Sequence, residues 1–227
     1  MVRAVQATEP DAERQVRSVT SHIMAPARVG SHTIAVEPLR IGSAMSTWRA
    51  TLTDAEGGLV ADMVAIVGAA RAFAASVPGL WGVAVPPNAP PADQVPRIPG
   101  GPPFPVFTQH LDMRPFTGLP LSGGPAESIG WVGYDVPTEP DAAALLALVD
   151  GWYPASLPLL ETMPPIATVS FTASLLADPA HVRADEVVLH HSFLTSAADG
   201  YTSEHRRLWS ADGRLLVDNV QTIVVGS

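Results

Sequence analysis

The chain has 227 residues, 47% of them hydrophobic, with a formal charge of −9, no cysteine, and basic residues that are all arginine. Without cysteine there can be no disulfide, thiolate metal site or thiol nucleophile; without lysine there is no Schiff base, ordinary pyridoxal-phosphate chemistry or Walker P-loop. The acidic balance argues against nucleic acid and anionic membranes as partners. No apolar run reaches the roughly 20 residues of a membrane span, and residues 1–10 lack a signal-peptide core, so a cytoplasmic protein is expected.

In chain order, Val2, Val5 and Gln6 read as the tail of a helix. Strands follow over 16–24, 33–39, 46–52 and 59–65, punctuated by Gly30, Gly42 and the Asp54-Ala55-Glu56-Gly57-Gly58 turn. The short spacing demands antiparallel pairing, because parallel strands need long crossovers. From 78 to 105 the composition turns to proline and glycine (Pro86-Pro87, Pro90-Pro91, Gly100-Gly101-Pro102-Pro103), which reads as an extended linker. Strands are expected over 106–116 and 128–135. Thr138 then serves as N-cap of a helix, with Asp141 completing a capping box and Pro140 in the first turn. Residues 142–149 contain no polar side chain, so this helix is expected to be buried on every side. Strands over 166–175, 187–195, 201–210 and 215–225 finish the chain.

The chain nearly repeats itself. Leu59-Val60-Ala61-Asp62-Met63-Val64-Ala65 and Leu215-Leu216-Val217-Asp218-Asn219-Val220-Gln221 each follow an Asp- and Gly-rich turn. Where the first copy has Ala65, the second has Gln221. Two copies of one fold are implied, with chemistry kept in the second.

A buried helix followed by an antiparallel meander is a sheet wrapped around one helix. The second half resembles the C-terminal hot-dog domain of acyl-CoA thioesterase II-like proteins, a family with two hot-dog domains in one chain. The residues that carry the resemblance are 146–150, Ile166-Ala167-Thr168, Asp212-Gly213-Arg214-Leu215-Leu216 and Val220-Gln221. In the first half it rests on Val36-Glu37-Pro38-Leu39-Arg40-Ile41-Gly42. It implies an α+β double hot-dog, two antiparallel sheets each wrapped around a central helix. The domains would be a partial N-terminal hot-dog over 1–77, the linker over 78–105 and a C-terminal hot-dog over 106–227. The first domain is expected to be truncated at its N-terminus, because only 1–8 precede its meander and the family's Gly-Gly segment is absent. That shortening would uncover Val19 and Ile23 and remove backbone donors for an oxyanion.

The resemblance further implies an acyl-CoA substrate, a homo-oligomer, no cofactor and no metal. Carried over by position, its catalytic set is Asp150, Thr168 and Gln221, which would hold and activate a water against the thioester carbonyl. A carboxylate can take a proton from water, and an amide and a hydroxyl can orient it. Each residue also has a plainer reading. Asp150 could be a solvated helix end, although the helix dipole disfavours a carboxylate there. Thr168 shares a strand face with Ser170, Thr172 and Ser174, which could be the solvent side of a sheet. Gln221 and Asn219 interrupt an apolar face and must be satisfied by something, even if only a cross-strand polar pair. A catalytically silent protein that binds acyl groups or a partner is the alternative, and a hot-dog dehydratase lacks a His/Asp pairing at the helix. His190 and His191 point to opposite faces of one strand and cannot easily share a metal. No Gly-x-Ser-x-Gly supports a nucleophile elbow. Trp81, Trp131, Trp152 and Trp209 are read as core and linker packing.

Overall fold

The computed structural model describes residues 1–72, 84–86, 88–102 and 104–226; Trp81 and the first residues of the expected linker, 78–83, lie outside them. The elements are α1 (Val2–Thr8), β1 (Gln15–Ile23), β2 (Thr33–Ile41), β3 (Met45–Thr53), β4 (Leu59–Gly68), β5 (Leu111–Thr117), β6 (Glu127–Tyr134), α2 (Ala142–Asp150), β7 (Ile166–Leu175), β8 (Val188–Ala198), β9 (Tyr201–Trp209) and β10 (Leu215–Val225). This is an α+β hot-dog fold with two α-helices among the described residues. The expected pair of separate sheets is corrected to one: ten antiparallel strands in the order β2-β3-β4-β1-β7-β10-β9-β8-β6-β5. The seam is β1 against β7, where residues 18–22 pair with 170–174. Each half taken alone would leave one of these strands as a bare edge of unpaired amides, and joining them satisfies both.

One apolar core runs through both halves, with Val5 of α1, Val19 of β1 and Trp48 of β3 joined to Leu145 and Leu148 of α2 and Phe171 of β7. Val19, expected to be uncovered, is only 2% exposed, whereas Ile23 at the end of its strand is 37% exposed.

Helix α2 is capped by Asp141 rather than by Thr138. The Asp141 carboxylate accepts from the Ala144 N–H at 2.6 Å. Thr138 instead donates its hydroxyl to the Val136 carbonyl and its N–H to that of Ala184. Pro140 explains the shift, since the residue before a proline is disfavoured in helical geometry. Burial covers most of the helix but not all of it: Ala147 and Asp150 are exposed.

The strand expected over 106–116 begins only at Leu111. Val106–His110 is a 3-10 turn anchored by Thr108, whose hydroxyl donates to the Pro105 carbonyl and accepts from the Gly101 N–H. The described part of the linker is tied to the second half rather than free. Trp131 Nε1 donates to the Pro90 carbonyl, Arg114 Nη1 to that of Ala92, and Ile98 bridges to Met113. Both outermost strands carry a proline at which the pairing slips, Pro38 in β2 and Pro115 in β5. No helix among the described residues is long and apolar enough to cross a membrane.

Candidate active site

Strand β10 alternates inward and outward, so Val217, Asn219, Gln221 and Ile223 all point to the core and are fully buried. Gln221 sits beside the C-terminal end of α2. Its Nε2 donates to Asp150 Oδ1 and to Asn219 Oδ1, both at 3.0 Å. Its Oε1 accepts from Thr168 Oγ1 at 3.0 Å. The structure therefore brings Asp150, Thr168 and Gln221 into one hydrogen-bonded cluster, and adds Asn219 to it.

A β-bulge puts Thr168 there. The β7–β10 register runs Thr222 opposite Ser170 and then jumps to Ile223 opposite Thr168, leaving Val169 as the extra residue. Ser170, Thr172 and Ser174 stay on the outer face, but the slip reverses parity and turns Thr168 inward beside Gln221. The shared face read from simple alternation is thus corrected.

The orientation of the amides follows from donor and acceptor logic. The Thr172 carbonyl only accepts, and Asn219 Nδ2 lies 2.9 Å from it. Asn219 must then present Oδ1 to Gln221, which must answer with Nε2. That leaves Gln221 Oε1 facing Thr168, whose hydroxyl must donate. One backbone carbonyl thereby fixes the polarity of the whole cluster and aims an N–H at Asp150.

The turn after α2 is held from below. Arg206 Nη1 donates to the carbonyls of Val149 (3.2 Å), Asp150 (2.8 Å) and Trp152 (3.0 Å). Its partner Glu204 accepts the Ala155 N–H at 2.8 Å. Trp152 stacks on His190, with ring centroids 4.8 Å apart. Desolvation, helped by the nearby Arg206 charge, holds the His190 imidazole well below its ordinary pKa, so it is neutral. A relay of neutral groups runs from Trp152 Nε1 to Ser128 Oγ, on to the Tyr153 hydroxyl and then to the Gly118 carbonyl. Burial raises the Tyr153 phenol, and the Ser128 hydrogen bond only partly opposes this. Gly130 is required here, because a Cβ would lie 2.5 Å from the Trp152 ring and 2.6 Å from the Arg114 carbonyl.

Asp150 and Thr168 line two cavities. The larger, of about 480 Å³, is walled by residues 98–100 and 104–108 together with Met113, Trp152, Leu157, Met163 and Ile166. The smaller, of about 270 Å³, lies between the halves among Val2, Val19, Ile23, Met63, Leu146 and Phe171. Both are mainly apolar. Among the described residues, no group of three or more His, Asp or Glu could hold a metal.

Residues 85–225 match the model of the acyl-CoA thioesterase C-terminal domain, and residues 1–70 that of the N-terminal domain. The chain belongs to the acyl-CoA thioesterase II-like double hot-dog family. The N-terminal match starts at residue 1 itself and gives no support to the truncated first domain expected from the sequence. Among solved structures, this thioesterase-family chain is similar to a conserved hot-dog protein of unknown function from Alicyclobacillus acidocaldarius. The two are 27% identical with a TM-score of 0.87, over 100% of this chain and 84% of that one. It shares its fold with the acyl-CoA thioesterase II TesB2 of Mycobacterium marinum (19% identity, TM-score 0.76, 96% and 83% covered). The same holds for a tesB protein of Mycobacterium avium subsp. paratuberculosis (15% identity, TM-score 0.74, 98% and 83% covered). No curated protein matches the chain.

Sequence reasoning missed Glu204 and Arg206 as neighbours of the site. Alternation along β9 does place them on the inward face with Leu208, and two charges on such a face were the available signal.

Proposed function

We propose that this chain is an acyl-CoA thioesterase that hydrolyses fatty acyl-CoA with an activated water. The observation that carries the reading is the Gln221 amide, which joins the Asp150 carboxylate to Thr168, two residues that both line each of two mainly apolar cavities. In this scheme Asp150 takes a proton from water and the water oxygen attacks the thioester carbonyl carbon. The tetrahedral intermediate then collapses with cleavage of the C–S bond. The thiolate leaves and recovers the proton from Asp150, giving a carboxylic acid and free CoA thiol. Gln221 holds the carboxylate in place, and Thr168 holds Gln221. A thioester has two arms about its carbonyl, and a cavity on either side of Asp150 gives each arm room. No cofactor enters the scheme.

One observation favours a silent acyl-binding protein instead. Both hydrogens of Gln221 Nε2 are already spent on Asp150 and Asn219, so the amide has none left for water or an oxyanion. Thiol release from short, medium and long acyl-CoAs separates the two readings. Hydrolysis that Asp150→Asn and Gln221→Ala abolish, in variants that melt cooperatively, supports the enzyme. Acyl-CoA binding without thiol release by the folded wild type refutes it.

A further inference from the structure

The Glu204–Arg206 ion pair is almost wholly buried, with side-chain exposures of 0% and 2%. Buried ion pairs add little net stability compared with apolar residues of the same size, so this one calls for another reason. We infer that the pair is a positioning clamp for Asp150, an inference that rests on the hydrolase reading above.

Three observations point this way. First, the pair grips both ends of the turn that begins with Asp150. Arg206 takes the carbonyls of Val149, Asp150 and Trp152, and Glu204 takes the Ala155 N–H. The last carbonyls of a helix have no partner within it, and left free they would allow the end of α2 to fray. Second, the Arg206 charge sits at the negative end of the α2 dipole and offsets the potential against which a carboxylate at that end must be held. Third, the repeat supplies an internal control. The β9–β10 register sets Glu204 opposite Gln221 and Arg206 opposite Asn219. The corresponding β3–β4 register sets Trp48 opposite Ala65 and Ala50 opposite Met63. The four polar residues of the second half are all replaced by apolar ones in the first, which has no Gln to serve. Arg206 reaches the Asp150 main chain and acts through it, so it is a positioning residue.

The test is the pair substitution Glu204→Leu with Arg206→Met, which fills the space without charge, alongside Arg206→Lys and Glu204→Gln. A misplacement of about 1 Å can cost on the order of 100-fold in rate. The expected result is a folded double variant whose kcat falls roughly 10- to 100-fold while KM moves less than about threefold. Arg206→Lys keeps the cation but offers one donor nitrogen in place of the Nε and Nη1 that Arg206 uses, so it should lose less than the double variant without matching wild type. A folded double variant with kcat within about twofold of wild type, or a loss confined to KM, overturns the inference. If the double variant does not fold, Glu204→Gln decides: it keeps an acceptor for Ala155 but removes the charge, and unchanged kcat there overturns the clamp. A wild type that releases no thiol sinks the hydrolase reading, and the clamp with it, before any variant is compared.

Discussion

Replacing Asn219 with Asp tests the donor–acceptor chain that fixes the polarity of the site. The change keeps the side chain's shape but puts an oxygen where Nδ2 now donates to the Thr172 carbonyl at 2.9 Å. The introduced carboxyl can restore that bond only by staying protonated. Holding it neutral at pH 7, against an ordinary pKa of about 3.9, costs about 1.4 kcal/mol per unit, or about 4 kcal/mol. Ionising instead leaves a buried charge facing a carbonyl, so the cheaper route caps the penalty near that figure. The folded state raises the pKa of the introduced group. The penalty is therefore absent below about pH 4 and grows as the pH climbs towards the raised value. At this chain length it corresponds to a fall in Tm of roughly 8–16 °C at pH 7 and only a few degrees at pH 5. Thermal unfolding followed by circular dichroism at both pH values, always as the difference from wild type, gives the answer. A difference that is small, or the same at both pH values, would show that the amide does not face Thr172 as argued.

Other outcomes can be checked with the same tools. Thr168→Val removes the donor to a buried Gln221 oxygen; it should destabilise by about 1–3 kcal/mol and slow thioester hydrolysis at least roughly tenfold. Asp141→Ala removes the α2 cap and should cost about 1 kcal/mol in denaturant titrations; the bond to Arg3, which is largely exposed, adds little. Burial pushes the Asp141 carboxyl up, but hydrogen bonds from Arg3 and the Ala144 N–H outweigh it and leave it below the ordinary range. That contribution is present above about pH 4 and fades as the pH falls through the lower folded value, so Asp141→Ala and wild type should converge in acid. His190 is buried neutral, so acidification below about pH 6.5 protonates the unfolded chain first and costs roughly 1.4 kcal/mol per unit. His190→Phe, which retains an aromatic face for Trp152, should flatten that slope; an unchanged slope would assign it to other groups.

Strand positions were legible because alternation and turn residues are local signals: β7 and β10 begin and end where the pattern does. So was the pairing of Ala65 with Gln221 across the repeat, which needs only the two sequences side by side. Thr168 was found through its resemblance to a family position, and alternation alone gave it the wrong face, because one extra residue at Val169 reverses parity without changing composition. The joining of the two sheets was hidden for a different reason. Edge pairing between β1 and β7 is made by backbone amides, which every sequence possesses. Arg206 was signalled only as a charge beside Glu204 on the inward face of β9, because the carbonyls it holds lie 54 to 57 residues away in the chain and no side-chain motif names them.

The prolines of β2 and β5 carry a consequence for how copies of this chain can meet. Among the described residues the β2 margin of this ten-stranded sheet carries no further strand and the β5 margin is bridged only at Met113, by Ile98; such margins invite further strands, and so polymerisation into fibres. Here each margin lacks an N–H at its proline and loses register beside it, so a neighbour laid alongside could not zip continuously. Growth in the plane of the sheet is disfavoured from both ends. Strand addition at these margins is therefore not the route by which copies of this chain should assemble.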